Sequence, residues 1–195
     1  MFDISSALEV FPECRQVHVV SVKNECKELL LLVEGGFCGE TEIVCVDLTP
    51  NSSLLTPNFI AKQREEHIQN VTYSAPKNYL YEPNASIMKA GLFKTIANKY
   101  NMQKLHPSTH LYTSDELVPN FPGRSFEIKR VTKVQRKEIQ DIEKANLSIR
   151  NFPGNVADLR KKLKLKDGGD IYIFATTLND NSKVLIVCNK LGVRS

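Results

Sequence analysis

The sequence predicts an α+β protein, and three observations carry that prediction. Short runs rich in Val, Ile and Leu, such as QVHVVSV (residues 16–22) and ELLLLVE (residues 28–34), sit between turns of Lys, Asn and Gly. They are too brief for helices and read as strands. In the middle of the chain, apolar residues recur at helical spacing from Ile87 to Tyr100. From Arg124 onward, extended and helical patterns alternate in the order βαβαββ, which builds a mixed sheet with helices on one face.

Taken in order, a short helix is expected over residues 4–10. The runs 16–22 and 28–34 follow as a hairpin across Lys23, Asn24 and Glu25, and TEIVCVDL (residues 41–48) is a third strand after Gly35 and Gly36. ELLLLVE does not alternate, and a continuously apolar strand wants cover on both faces. This meander is therefore expected to belong to a larger sheet. Residues 49–58 read as a loop from their Pro, Asn and Ser content, and residues 60–69 give no clear pattern.

The stretch YLYEPNASIMKAG (residues 79–91) is a tightly specified joint. Pro83 ends an extended segment, and Asn84 or Ser86 offers a side-chain oxygen to cap a helix. Ile87, Met88, Leu92, Phe93, Ile96, Ala97 and Tyr100 form that helix's inward face. Gly91 interrupts it at about 1 kcal/mol relative to Ala, which a close helix contact would justify.

In the last part, residues 124–131 form a strand, 134–145 a helix facing inward through Val134, Ile139 and Ile142, and 147–152 a second strand. Asn155 then caps a helix that buries Val156, Leu159 and Leu163 and ends at DGG (residues 167–169). DIYIFATTL and KVLIVCNKL close the chain as a hairpin across LNDNS.

Composition narrows the function classes. The chain has 195 residues, 42% of them hydrophobic, which is ample for a core. No apolar run is long enough to cross a bilayer as a helix, and no signal-peptide pattern opens the sequence, so a cytoplasmic protein is expected. Five cysteines without a CxxC pair argue against zinc, and Cys45 and Cys188 lie in apolar runs as small hydrophobes. His18 alternates with apolar residues on a strand, while His106 and His110 are separated by Pro107, which spoils a helical ligand pair. No metal site and no catalytic constellation is expected. Phosphate-cradling glycine motifs are missing too, and Gly35–Gly36 reads as a tight turn.

Charge says more. Residues 124–166 hold thirteen Lys and Arg against five Asp and Glu, a net of +8 in a chain of net +4. Lys129, Arg130, Lys133, Arg136, Lys137, Arg150, Arg160, Lys161, Lys162, Lys164 and Lys166 lie on or beside two helices that the βαβαββ order places on one side of the sheet. Such a face engages phosphates, as in a nucleic acid, with affinity that falls with salt. The plain alternative is a solvated helical face.

The segments FDISSALEVFP, VHVVSVKNECKELLLLVE, YEPNASIMKAG and FPGRSFEI, with the basic βαβαββ unit, together resemble the C-terminal portion of bacterial class I S-adenosylmethionine-dependent methyltransferases that carry a ferredoxin-like insert and end in a THUMP-like domain. The resemblance implies three parts: residues 1–58 as the C-terminal strands of a methyltransferase-type sheet, 59–122 as a ferredoxin-like connecting segment, and 123–195 as a THUMP-like domain. It implies RNA, tRNA above all, as the partner, together with an upstream methyltransferase domain that would hold S-adenosylmethionine. The donor-binding loop has no counterpart here, so no methyl transfer is expected from these residues alone. Tyr81, Glu82, Asn84 and Lys89 become candidates for substrate or interdomain contact, against the simpler reading that Tyr81 packs and Asn84 caps. A module docking an acidic partner protein is the alternative function.

Overall fold

The computed structural model describes residues 4–48 and 59–192; the loop expected over 49–58 lies outside the described residues. The chain is α+β and divides into two compact units, Met1–Asn70 with Pro83–Lys99, and Val71–Glu82 with Tyr100–Ser195.

In the first unit, α1 (Ile4–Val10) leads into β1 (Cys14–Val22), β2 (Glu25–Val33), β3 (Glu42–Leu48), β4 (Phe59–Lys62) and α2 (Gln63–Ile68). The four strands form a sheet in the order β2-β1-β3-β4, with β1 antiparallel to β2 and parallel to β3. The expected hairpin is present. Its turn puts Lys23 and Asn24 at φ 51° and 62°, a left-handed pair of the kind that matches the twist of hairpin strands. Asn24 also accepts the N–H of Ala85 at 2.8 Å, tying the turn to the helix that follows the joint. The segment 60–69, unreadable in sequence, becomes the end of β4 and α2.

The single helix expected from Ile87 to Tyr100 is instead two, α3 (Ala85–Ala90) and α4 (Phe93–Lys99). Gly91 sits at φ 72° as the left-handed cap of α3, and its N–H reaches the Met88 carbonyl at 3.3 Å. A Cβ added there would meet nothing within 4 Å. The glycine thus serves conformation and not a close helix contact. Asn84 is the cap, accepting the N–H of Ile87 at 3.2 Å. Glu66 of α2 takes the same part for α4, its carboxylate accepting the backbone N–H groups of Lys94 and Thr95 at 2.9 Å. α3 packs on β1, β2 and β3, and the unit's core includes Val17, Val19, Ile43, Cys45, Ile87 and Ile96.

The second unit holds β5 (Tyr79–Pro83, all but its last residue), β6 (Gln103–His106), β7 (Thr109–Ser114), β8 (Gly123–Lys133), β9 (Asn146–Arg150), α5 (Val156–Leu163), β10 (Ile171–Thr177) and β11 (Lys183–Lys190). All seven strands belong to one sheet in the order β6-β7-β5-β8-β11-β10-β9. The sheet is curled, since Thr109 Oγ1 lies 3.3 Å from Thr176 Oγ1 and His106 Nδ1 lies 3.0 Å from Asn151 Nδ2. Leu80, Leu105 and Leu111 share one core cluster with Phe126, Phe174 and Ile186. A second cluster gathers Ile139, Ile142, Leu159, Leu163, Ile173 and Leu185.

Within the βαβαββ order the strands and α5 are found as expected, but the helix over 134–145 is not. Only a 3-10 turn forms, Arg136–Ile139. Ile139 and Ile142 still bury, yet the local hydrogen bond runs from Ile142 N–H to the Ile139 carbonyl, three residues back. The Arg136 guanidinium donates to the carbonyls of Ile139, Gln140 and Ile142, which competes with continuation as an α-helix. Beyond it the chain turns extended, with Lys166 N–H donating to the Glu143 carbonyl at 2.8 Å. α5 starts on its Asn155 cap as expected but stops earlier, at Lys164, which is left-handed at φ 51°.

Candidate nucleic-acid interface

The basic stretch of the second unit separates into two populations that sequence could not distinguish. The arginines are used inside the fold. Arg130 grips Asp141 through both carboxylate oxygens at 2.7 and 2.8 Å, and this holds the Asp141 carboxyl below its usual range. Arg136 ties the 3-10 turn, as above. Arg160 pairs with Asp167 at 2.7 Å. Arg150 and Arg124 share the Glu82 carboxylate. Lys129 is held by Glu127, its neighbour two residues back on β8, at 2.7 Å.

The remaining lysines are different. Lys133, Lys137, Lys161, Lys162, Lys164 and Lys166 are exposed and have no ion pair or side-chain hydrogen bond among the described residues. Leu159 and Leu163 turn inward from α5, which leaves Lys161 and Lys162 in solvent. α5 packs beside the 3-10 turn that carries Lys137, and Lys144 bridges to Lys166 through the backbone. Lys137, Lys161 and Lys162 lie on the 3-10 turn and α5, whose Ile139, Leu159 and Leu163 pack with Ile173 and Leu185 of the sheet, while Lys133 ends β8. Acids are interleaved with them, but three of those acids, Glu127, Asp141 and Asp167, are already paired. Six exposed ammonium groups without partners among the described residues are suited to an extended anion whose charges need no fixed geometry.

The joint motif resolves residue by residue. Tyr81 is fully buried; its hydroxyl accepts the Val118 N–H at 2.9 Å and lies 3.0 Å from Ser114 Oγ. It packs. Asn84 caps. Lys89 is half-buried in the last turn of α3 and makes no side-chain hydrogen bond among the described residues. Glu82 is the organising group: its side chain is 6% exposed and lies between Arg124 and Arg150, whose side chains are 32% and 37% exposed. Arg150 Nε donates to Glu82 Oε1 at 2.6 Å and Arg124 Nε to Oε2 at 2.9 Å, with a second short contact from the Arg124 guanidinium to the same oxygen. Sequence reasoning missed Arg124, for nothing in FPGRSFEI marks which acid it meets.

No other chemistry assembles among the described residues. Among the described residues no group of three potential metal ligands comes together. Burial and the charge of Lys104 depress the His110 imidazole to about 4, so it is neutral at physiological pH. Burial pushes the Cys45 and Cys188 thiols up to about 12, far from a thiolate nucleophile. Gly36 takes φ 80° in the turn after β2, but the next element is the strand β3 and not a helix N-terminus. Among the described residues no helix is long and apolar enough to cross a membrane.

Comparison with known proteins bears on both parts of the second half. Residues 79–122 match the family described as a ferredoxin-like domain, and residues 123–190 the family described as THUMP domain-like. No curated protein matches the chain. The crystal structure of a "putative methyltransferase" from Porphyromonas gingivalis W83 is similar with a TM-score of 0.85 at 32% identity, over 92% of this chain and 46% of that one. The chain thus spans just under half the length of that relative. It is an α+β protein carrying ferredoxin-like and THUMP-like domains.

Proposed function

We propose that this chain is the RNA-recognition portion of a cytoplasmic class I S-adenosylmethionine-dependent RNA methyltransferase, with tRNA as its substrate class. The methyl donor and the chemistry belong to a linked catalytic domain. The observation that carries the reading is the set of six unpartnered lysines on the THUMP-like segment, joined to the likeness between this chain and a methyltransferase. Lys137, Lys161, Lys162, Lys164 and Lys166 hold the phosphodiester backbone, positioning the RNA without reading its sequence. Arg130, Arg136 and Arg160 support that layer from within. Arg150 and Glu82 brace the strands beneath it.

The test is a filter-binding titration of the full chain against tRNA at about 50 and about 200 mM salt, over which a few phosphate contacts cost orders of magnitude in affinity. Replacing Lys161, Lys162 and Lys166 with Ala lowers the salt slope by roughly one per lost contact. Binding that is absent, or indifferent to salt, refutes the reading. A salt-sensitive capture of an acidic protein that survives nuclease, without tRNA binding, favours the protein-docking alternative.

A further inference from the structure

Glu82, Arg124 and Arg150 leave a charge unbalanced. Two guanidinium groups share one carboxylate, and neither pairs with a second acid among the described residues, so the cluster carries a net positive charge. A single arginine would neutralise Glu82. The second adds repulsion between like charges, which an anion placed against both would relieve.

The donors are not used up either. Arg124 spends Nε and Nη2 on Glu82, and its Nη1 meets no acceptor among the described residues. One face of the same guanidinium lies over the ring of the fully buried Phe126, 5.6 Å from its centroid. Arg124 is thus held in one orientation while about a third of its side chain stays in solvent. Arg150 gives Nε and Nη2 to Glu82 and Nη1 to the Ile149 carbonyl, and it too stays about a third exposed.

The cluster faces away from the lysines. Glu82 and Arg124 lie two residues from Leu80 and Phe126 on their strands, so all four share one face of the sheet. It is the concave face: Thr109 and Thr176, likewise two residues from Leu111 and Phe174, meet across it at 3.3 Å. Lys161 and Lys162 ride on α5, whose Leu159 and Leu163 pack with Ile149 on the opposite face. A duplex held by those lysines cannot also lie in a concave face filled by Leu80, Phe126 and Phe174. The end of a strand can reach its rim, where Glu82, Arg124 and Arg150 all stand at or beside strand ends.

We infer that Arg124 and Arg150, oriented by Glu82, bind the terminal phosphate monoester of an RNA strand. Such a group carries close to two charges and three acceptor oxygens at neutral pH, and a fixed arginine fork matches two of those oxygens. Glu82 is the positioning residue and does not touch the ligand. That the phosphate belongs to RNA rests on the function proposed above, whereas the anion site rests on the unbalanced arginines.

The test titrates the full chain with one short single-stranded RNA carrying a 5′-phosphate, a 3′-phosphate or neither, at a single salt concentration. One phosphorylated form should bind on the order of tenfold tighter than the bare RNA, and which form it is names the end. Arg124→Lys keeps the charge but not the fork, so it should abolish that preference while leaving bare-RNA affinity and circular dichroism unchanged. Glu82→Gln should lose the preference and Glu82→Asp restore part of it. Equal binding of all three RNAs, or a preference that survives Arg124→Lys, overturns the inference. Inorganic phosphate, followed through the Arg124 Nε–H resonance, separates the two readings. A shift there with no RNA bound at all would sink the RNA reading and leave the phosphate site standing; no shift overturns the site itself. A peptide carboxylate bound through Arg124 in place of any phosphate would also overturn it.

Discussion

Replacing Glu82 with Gln keeps the shape and one acceptor but removes the negative charge that two guanidinium groups share. Glu82 is nearly buried, so its carboxylate is poorly replaced by water, whereas Arg124 and Arg150 are about a third exposed and partly rehydrate. Breaking a fully buried pair costs about 3–5 kcal/mol. With the arginines partly in solvent, a loss of about 2–3 kcal/mol is expected here, or roughly 4–12 °C in Tm for a chain of this size. Urea unfolding followed by far-UV circular dichroism measures it. Arg150→Gln supplies the second corner of a double-mutant cycle and Glu82→Gln/Arg150→Gln the last, with a coupling of about 1 kcal/mol or more. A loss below about 1 kcal/mol, or strictly additive effects, would show that Glu82 is merely an accessible surface acid and that its place between the two arginines is incorrect.

Three further outcomes follow from local geometry. Gly91→Ala should destabilise by about 1 kcal/mol in urea unfolding, because only the left-handed backbone at φ 72° is at issue, and Gly91→Asn should recover part of the loss. Asn84→Ala removes the acceptor for Ile87 N–H and for Ser86 Oγ, so a loss of about 1 kcal/mol is expected in the same assay. His110 is held neutral, its pKa lowered from 6.5 to about 4, so the unfolded chain binds the extra proton between those values. The stability it contributes is therefore complete above pH 6.5 and lost as the pH falls toward 4, by on the order of 1 kcal/mol after allowance for its partial exposure. His110→Gln should flatten that acid slope in pH-dependent unfolding.

Most strands were legible because β-branched runs bounded by Gly, Asn and Pro leave few alternatives, but β4, β6 and β7, which are short and mix polar with apolar residues, were not read from the sequence. The two helix errors have one cause. Apolar spacing at Ile139 and Ile142 and from Ile87 to Tyr100 reports which side faces the core, and 3-10 turns and paired short helices satisfy the same spacing. Competition for carbonyls by Arg136, and the left-handed need at Gly91, are decided by partners far apart in space or by backbone angle. Composition carries neither. The same limit applied to the basic stretch, where a lysine and an arginine count equally in sequence. Only coordinates separate Arg160, spent on Asp167, from Lys161 beside it.

The seven-stranded sheet has a practical meaning for anyone dissecting this gene. The matched families meet between Pro122 and Gly123, yet Leu80, Leu105 and Leu111 from one side of that seam pack with Phe126, Phe174 and Ile186 from the other. Excising residues 123–190 as an independent module would strip three strands and leave aromatic rings bare to water. What matches two families folds as one sheet, and an expression boundary drawn at the seam is expected to give an insoluble product.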